Sequence, residues 1–255
     1  MDIILIGSGN TATVLGRKCL ATGHRIIQVY SRQEEHANHL ASQLNANSSS
    51  SVSSIGKKAD LMIVALRDEA ITPFIREIGE IHFPVAHTAG AVSLNAVKNS
   101  GNLYGVIYPL QSLRKEIGII PPLTLLVDGN GPEARDLILL FAAGIAETVI
   151  TADDSTRLKY HLAATLVNNF TNYLFAVAEN FCVKENISFA VLQPLMEETV
   201  LRLRNISPFA AQTGPAWRDD QQTLDKHRKI VKDYSALSRI YEMFTQEIQD
   251  FYLTR

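Results

Sequence analysis

The sequence predicts an α/β fold, a doubly wound and mainly parallel sheet, followed by an all-α C-terminal domain. Three observations support this prediction. The chain opens with a strand, a glycine-rich turn and a helix; strand and helix patterns then alternate to about Thr151; and no convincing strand follows. Such alternation is typical of a parallel sheet with helices on both faces. We therefore expect two domains, residues 1–152 and residues 153–255.

The first element is an apolar strand, residues 3–6, that runs into a G-x-G-x-x-A turn and then into helix-compatible sequence. In dinucleotide-binding folds of the Rossmann type, the first glycine allows the tight turn, the second lets a diphosphate approach bare backbone, and a small third residue lets the helix pack on the strand. The free N–H groups at the start of the helix then face the anion. We expect these cofactor contacts: Gly7, Ser8, Gly9, Asn10 and Thr11.

The second strand, Arg25–Tyr30, ends in Ser31 and Arg32, where no acidic residue stands. An Asp or Glu at this strand end accepts a hydrogen bond from the ribose 2′-OH of NAD and repels a 2′-phosphate. A hydroxyl and a guanidinium instead make charge-assisted hydrogen bonds with that phosphate, each worth about 1.5–3 kcal/mol. We therefore predict NADP(H) as the cofactor. The alternative is that Arg32 is a solvated surface residue.

The next elements are read from helical and strand patterns in the same way. They are a helix over residues 33–44, a serine-rich loop around a short strand over 45–54, a strand over 60–66, a helix over 70–78, and strands over 85–88, 103–108 and 123–127. Ligands of open α/β sheets lie beyond the carboxyl ends of strands. Strand ends therefore supply four more predicted cofactor contacts: Leu66, Arg67, Thr88 and Gly90. His87, at one of these ends, is a candidate proton donor or a structural histidine.

Composition argues against several other classes of protein. With 255 residues, 46% of them hydrophobic, the chain can bury a substantial core. A net charge of -2 with scattered Lys and Arg predicts no nucleic-acid partner. The longest apolar run, residues 137–146, is too short for a membrane span. Cys19 and Cys182 form no disulfide framework, and the first strand begins without a basic leader, so we expect a cytoplasmic protein. No zinc motif occurs, so we expect no metal.

The second half begins with three capping residues at 153–155, which predict one long helix to about Cys182. Polar side chains recur on one face of this helix with the spacing i, i+4, i+7, i+11: His161, Thr165, Asn168 and Asn172. We expect this face to line the cleft between the domains, with His161 or Asn168 acting beside the nicotinamide. The alternatives are that the stripe is solvated or forms hydrogen bonds across a subunit interface.

The last helix carries apolar residues at three- and four-residue spacings over positions 237–251. A stripe of this kind must pack against another surface. Small helical units often complete their core against the same unit of a second subunit. We therefore expect a homodimer formed through the helical domain.

Several segments together resemble known reducing enzymes. The N-terminal fingerprint, the Ser31–Arg32 ending and the stretch 165–169 are similar to the superfamily of 6-phosphogluconate, β-hydroxyacid and pyrroline-5-carboxylate reducing enzymes. A narrower resemblance, to a branch of Rossmann-like NADP oxidoreductases defined by sequence more than by reaction, rests on residues 87–91, 108–112, 160–164 and 213–215 with Arg218 and Asp220. This resemblance implies a Rossmann domain, NADP(H), and a helical domain that contributes to the substrate site.

Three departures from the family pattern limit what can be transferred. Hydroxyacid enzymes place a catalytic lysine four residues before the helix asparagine, and counting back from Asn169 reaches Thr165. Threonine cannot donate a proton as an ammonium does, so the β-hydroxyacid reaction is not transferable. The narrower branch favours histidine where this chain has Tyr108 and glycine where it has Asp219.

Together these observations favour an NADP(H)-dependent oxidoreductase that reduces a small C=O or C=N substrate. Histidine side chains ordinarily change charge near neutral pH, so His161 is suited to donate a proton. We expect substrate contacts from Thr213, Gly214 and Arg218, although a plain turn and a surface salt bridge explain these residues equally well. The competing hypothesis is a protein that binds NADP(H) for regulation or assembly without turnover. A methyltransferase is disfavoured because Ser31 and Arg32 stand where an acid is usual.

Overall fold

The computed structural model describes residues 1–253 and confirms the predicted fold class. In these residues one sheet contains eight strands: β1 (Asp2–Ile6), β2 (Arg25–Tyr30), β3 (Asn47–Ser49), β4 (Leu61–Val64), β5 (Val85–His87), β6 (Tyr104–Pro109), β7 (Thr124–Gly129) and β8 (Thr148–Thr151). The order is β3-β2-β1-β4-β5-β6-β7-β8, and all neighbours are parallel except β6 and β7. The order includes the 3-2-1-4-5-6 arrangement of dinucleotide-binding sheets.

Helices cover both faces of this sheet. They are α1 (Asn10–Ala21), α2 (Glu34–Gln43), α3 (Asp68–Ile78), α4 (Pro132–Ile145) and α5 (Asp154–Ala164). In β1, Ile3 and Leu5 pack into a cluster with α1, α2 and α4, whereas Ile4 and Ile6 pack into a second cluster with α3. Successive strand side chains point to opposite faces, so an uninterrupted apolar run is what a strand covered on both faces requires.

The long helix predicted after Asp153 is interrupted. Asp153 caps α5 by accepting a hydrogen bond from the N–H of Thr156 at 2.8 Å, as expected. A π-helical turn, Thr165–Phe170, then separates α5 from α6 (Thr171–Lys184). The periodicity of the sequence did not predict this wider turn. A six-residue π-helical segment shifts the pattern of polar and apolar residues too little to be distinguished from a continuous α-helix. The sequence analysis also assigned no element to α4 or β8.

The chain forms two compact units, residues 1–170 and the segment from Thr171 onward. The first unit includes α5 and the π-helical turn together with the sheet, and the boundary between residues 152 and 153 stays a prediction from the sequence. The remaining helices are α7 (Gln193–Leu201), α8 (Pro208–Ala211), α9 (Gln221–Val231) and α10 (Ser235–Leu253). Within residues 1–253, no helix is both long enough and apolar enough to cross a membrane.

Candidate active site

The turn after β1 has the geometry that the glycine pattern predicted. Gly7 has φ +113°, a conformation that favours glycine. A Cβ at this position would lie 2.3 Å from the carbonyl oxygen of Ala65 at the end of β4. The Gly7 N–H donates to the carbonyl oxygen of Tyr30 at 2.7 Å. Gly7 is therefore required by the packing of three adjacent strands, independently of any ligand.

Gly9 differs from Gly7 because nothing in the fold requires it to lack a side chain. It is the N-cap of α1 with an ordinary φ of -80°, and no heavy atom lies within 4 Å of a Cβ built there. No side chain caps the first turn of α1, so its N–H groups face open space. This is the cradle that a diphosphate needs: bare backbone, free donors and the positive end of a helix.

The end of β2 completes the predicted cofactor site. The hydroxyl oxygens of Ser8 and Ser31 are 2.9 Å apart, and Ser31 is buried. Arg32, the next residue, is exposed, and neither of the two residues that follow β2 is acidic. These residues fit a 2′-phosphate, which needs hydroxyl and guanidinium donors and would be repelled by an acid. Leu66 is half-buried against the second core cluster, and Arg67 is exposed at the start of α3.

A cavity of about 540 Å³ opens beside this cradle within the first compact unit. It brings together four of the residues predicted from sequence: Thr11, Thr88, His161 and Asn168. Its other walls come from the segment 108–112 at the carboxyl end of β6 and from Tyr160, Thr165 and Asn169. This cavity is built by α5 and the π-helical turn against the carboxyl ends of β5 and β6.

Tyr108 and His161 form a direct pair in this cavity. The phenol oxygen of Tyr108 lies 2.8 Å from Nδ1 of His161, and the two rings meet edge to face. Burial raises the pKa of Tyr108; Arg157 lowers it and Asp68 raises it to a smaller extent, so the phenol stays protonated at neutral pH. Gly90 has a structural reason to lack a side chain here, because its Cβ would lie 2.7 Å from Nδ1 of His161 and 2.8 Å from the Tyr108 ring.

His87 is placed differently from His161. Its side chain is fully buried; Nδ1 accepts from the N–H of Ala89 and Nε2 lies 3.2 Å from the carbonyl oxygen of Ser93. Burial, and secondarily the Arg157 charge, lower the pKa of His87 to about 4. The imidazole is therefore neutral with both nitrogens occupied, and it does not border the cavity. We assign His87 to the support of the 87–93 turn rather than to proton donation.

This assignment predicts an acid-sensitive contribution to stability. Between about pH 6.5 and pH 4 the unfolded chain binds a proton at His87 that the folded chain does not, so the unfolding free energy falls as pH falls through this window, by at most about 3 kcal/mol. Urea unfolding at several pH values should show a flatter pH dependence for His87→Gln than for the wild type. The exposed His82→Gln serves as the matched control and should keep the wild-type slope. Equal slopes for His87→Gln and wild type would contradict the assignment.

The predicted substrate residues lie in the second compact unit. Thr213 and Gly214 border an apolar cavity of about 260 Å³ with Leu237, Ile240 and Phe244. Arg218 is exposed and its backbone N–H closes a turn onto Gly214. Asp219 has φ +53°, a conformation that favours glycine.

Tyr108 and Asn169 were not predicted as site residues, and Thr165 was predicted only as part of the polar face that was expected to line the cleft. Tyr108 carried a usable signal: β6 runs parallel to β5, so its carboxyl end lies at the same edge of the sheet as Thr88. Thr165 and Asn169 border the cavity together with Asn168 on the π-helical turn. Such turns are frequent at functional sites.

A dinucleotide-binding sheet with an open glycine cradle and no acid at the end of β2 defines a class of NADP-binding proteins, and comparison with known families agrees. A model described as NADP oxidoreductase, coenzyme F420-dependent, matches residues 2–84, and a domain of unknown function, DUF2520, matches residues 123–248. A solved structure from Bacteroides fragilis, described as a "putative NADP oxidoreductase", is 33% identical with a TM-score of 0.91 over 98% of each chain. The chain belongs to this family of NADP oxidoreductases, which confirms the predicted enzyme class and cofactor.

More distant structures share the fold. A 1-pyrroline-5-carboxylate reductase from Streptococcus pyogenes is 16% identical with a TM-score of 0.67, over 100% of this chain and 99% of that one. An imine reductase from Myxococcus stipitatus, in complex with NADP+, is 14% identical with a TM-score of 0.67, over 98% of this chain and 93% of that one. No protein with curated annotation is significantly similar in sequence.

Proposed function

We propose that the protein transfers a hydride between NADP(H) and a small C=O or C=N substrate bound in the 540 Å³ cavity. The observation that carries this proposal is that Thr11, from the cofactor cradle, shares one cavity with His161 and Asn168. NADPH supplies the hydride when bound. The turn after β1 would hold its diphosphate, and Ser31 with Arg32 its 2′-phosphate.

The remaining residues have roles that follow from their positions. Thr88, Asn168 and Asn169 provide hydroxyl and amide groups that can orient the substrate and the nicotinamide amide. His161 is the histidine on the cavity wall, and it would deliver or remove the proton that accompanies the hydride. Thr213 and Gly214 border the separate cavity of the second unit, and a substrate-binding role for them and for Arg218 stays a prediction from the sequence.

One experiment in two stages tests the proposal. NADPH fluorescence is titrated with the purified protein, and NADPH consumption is then followed with a panel of carbonyl and imine compounds. Imines come first because the fold neighbours include an imine reductase and a pyrroline-5-carboxylate reductase. Binding with turnover of at least one class supports the proposal. Binding without turnover of any compound favours the alternative, an NADP(H)-binding regulatory or assembly protein, which the threonine at position 165 also makes reasonable.

The cofactor preference gives a separate prediction. Arg32→Asp places a carboxylate where the 2′-phosphate would lie, so the KM for NADPH should rise about ten- to hundredfold, whereas the KM for NADH should change little. Steady-state kinetics with both cofactors measure this difference. Arg76→Asp, an exposed arginine in the last turn of α3 and outside the predicted cofactor site, is the control. If the two KM values rise equally in Arg32→Asp, the 2′-phosphate assignment fails.

We also propose a homodimer formed through the helical segments. The described part of the second unit buries just four hydrophobic side chains: Cys182, Ala216, Leu224 and Val231. Many of its larger apolar side chains are exposed, including Tyr173, Phe209 and Phe244. Four buried side chains make too small a core for a helical unit, and a second copy of the same unit would cover these surfaces. Sedimentation equilibrium distinguishes a dimer from a monomer.

The free thiols of Cys19 and Cys182 suit a reducing compartment, and we propose the cytoplasm.

A further inference from the structure

We propose that Tyr108 donates the proton to the substrate and that His161 then donates a proton to Tyr108. The inference rests on the proposed function, because it specifies the proton path in the same cavity. It adds a catalytic role for Tyr108 and changes the role of His161 from direct donor to reservoir.

The walls of the cavity leave few candidates for the donor. Among its bordering residues, Tyr108, Tyr160 and His161 carry an exchangeable proton on an ionisable group, and none is Asp, Glu, Lys or Arg. Of the two tyrosines, Tyr108 is the one hydrogen-bonded to His161, at 2.8 Å. A tyrosine alone is a weak acid at neutral pH, but a tyrosine hydrogen-bonded to an imidazolium can pass a proton on without accumulating charge.

The atoms of the pair are arranged for such a path. Nδ1 of His161 faces the phenol oxygen, whereas Nε2 has no hydrogen-bond partner within residues 1–253. His161 is half-exposed and borders the cavity, so solvent can reach its ring when the cavity holds no substrate. Burial raises the pKa of Tyr108, so the phenol is not lost as phenolate between turnovers. The close approach of the two rings depends on the missing side chain at Gly90.

The proton balance of a carbonyl reduction closes with this pair. As the substrate carbon receives the hydride, the C=O π electrons move to the oxygen, which takes the proton of the Tyr108 hydroxyl. The phenol oxygen simultaneously takes the Nδ1 proton of the His161 imidazolium. Tyr108 ends as a phenol, and His161 ends as a neutral imidazole that keeps its proton on Nε2. Solvent that enters the cavity after product release returns the proton to Nδ1. Neither a phenolate nor an imidazolate is formed, and no further reactant is needed.

Two substrate types separate proton transfer from all other functions of the cavity. A carbonyl compound needs both hydride and proton, whereas an N-methyl iminium ion such as N-methyl-1-pyrrolinium needs the hydride alone. Because general acids contribute about 10²–10⁴-fold, Tyr108→Phe should lower kcat for the carbonyl at least about 100-fold. The same variant should change kcat for the iminium ion less than about threefold. Tyr108→His, which restores an exchangeable proton, should recover part of the carbonyl rate.

Tyr104→Phe is the matched control, because Tyr104 also lies on β6 but donates to Asn95 at 3.3 Å, away from the cavity. It should leave both rates unchanged. If Tyr108→Phe lowers both rates equally, or leaves the carbonyl rate intact while His161→Asn abolishes it, the relay is overturned. Thermal unfolding of each variant identifies any that fail to fold, and Tyr108→His then replaces Tyr108→Phe in the comparison.

A measurement without turnover distinguishes failure of the relay from failure of the proposed function. The ¹⁵N resonances of His161 are followed through a pH titration of the wild type and of the two tyrosine variants. The relay predicts that Tyr108→Phe shifts the Nδ1 resonance and the titration midpoint, whereas Tyr104→Phe shifts neither. If the wild type binds NADPH but reduces no substrate, the proposed function fails. If Tyr108→Phe leaves the His161 titration unchanged, the pair does not exist in solution and the relay fails.

Discussion

Gly9→Val is expected to abolish high-affinity NADPH binding while leaving the fold intact. Its Cβ would point into space that is empty of protein atoms, so the folded chain accommodates the side chain. That same space is where a diphosphate would contact the backbone of the first turn of α1. We expect an affinity loss of at least about 100-fold, equal to about 2.8 kcal/mol. Fluorescence titration and thermal unfolding of the same sample measure the two effects.

Gly131→Val is the matched control for this substitution. Gly131 is also a helix N-cap, that of α4, and a Cβ there would likewise have no neighbour within 4 Å. It lies outside the predicted cofactor site, so NADPH affinity should remain at the wild-type value. Gly7→Ala gives the opposite pattern, since its Cβ would meet a carbonyl oxygen at 2.3 Å and the fold itself should be destabilised. Unchanged affinity in Gly9→Val would refute the diphosphate cradle.

The buried guanidinium of Arg157 gives the second large effect. Its side chain is 1% exposed, and Nη2 donates to Asp154 at 2.7 Å and to the carbonyl oxygen of Val92 at 2.5 Å. Nε and Nη1 are buried and have no hydrogen-bond partner among residues 1–253. Asp154→Ala therefore leaves an uncompensated charge in the core, and the unfolding free energy should fall by about 3 kcal/mol, the low end for a buried pair because Asp154 is 43% exposed.

Arg157→Met should cost much less than Asp154→Ala, within about 1 kcal/mol, because it removes the buried charge with a side chain of similar volume. The double variant should resemble Arg157→Met. Asp225→Ala, which breaks an exposed ion pair with Arg228, should change stability by less than about 1 kcal/mol. Urea unfolding measures all four. Equal losses in Asp154→Ala and Arg157→Met would show that the pair, rather than the orphaned charge, determines the stability.

Some parts of the fold could be predicted from short stretches of sequence alone. The turn at Gly7 and Gly9, the strand ending at Ser31, and the buried strand β4 each follow from positions within about ten residues. The pair of Tyr108 and His161 could not be predicted in this way, because it joins residues 53 positions apart. Its formation depends on the register of β6 beside β5 and on a glycine at position 90.

The different surroundings of His87 and His161 could not be predicted from the sequence either. Both were candidate proton donors. His87 stands at the carboxyl end of a predicted strand, and His161 stands on the polar face of a predicted helix. The difference between them is the number of backbone groups each ring meets, two for His87 and none for His161 in the residues the structure describes. Such contacts are set by the 87–93 turn, whose path periodicity does not determine.

The π-helical turn at Thr165–Phe170 has a consequence for related chains. One residue more than an α-helix requires is accommodated there, and each residue of an α-helix rotates the following faces by about 100°. In a homologue that lacks this extra residue, the helix that corresponds to α6 would be rotated about its axis, so a different face of it would contact its neighbours. Alignments across this helix should therefore contain a single-residue gap wherever the cavity wall has been rebuilt, and residue equivalences beyond it should be counted from Thr171 rather than from Asp154.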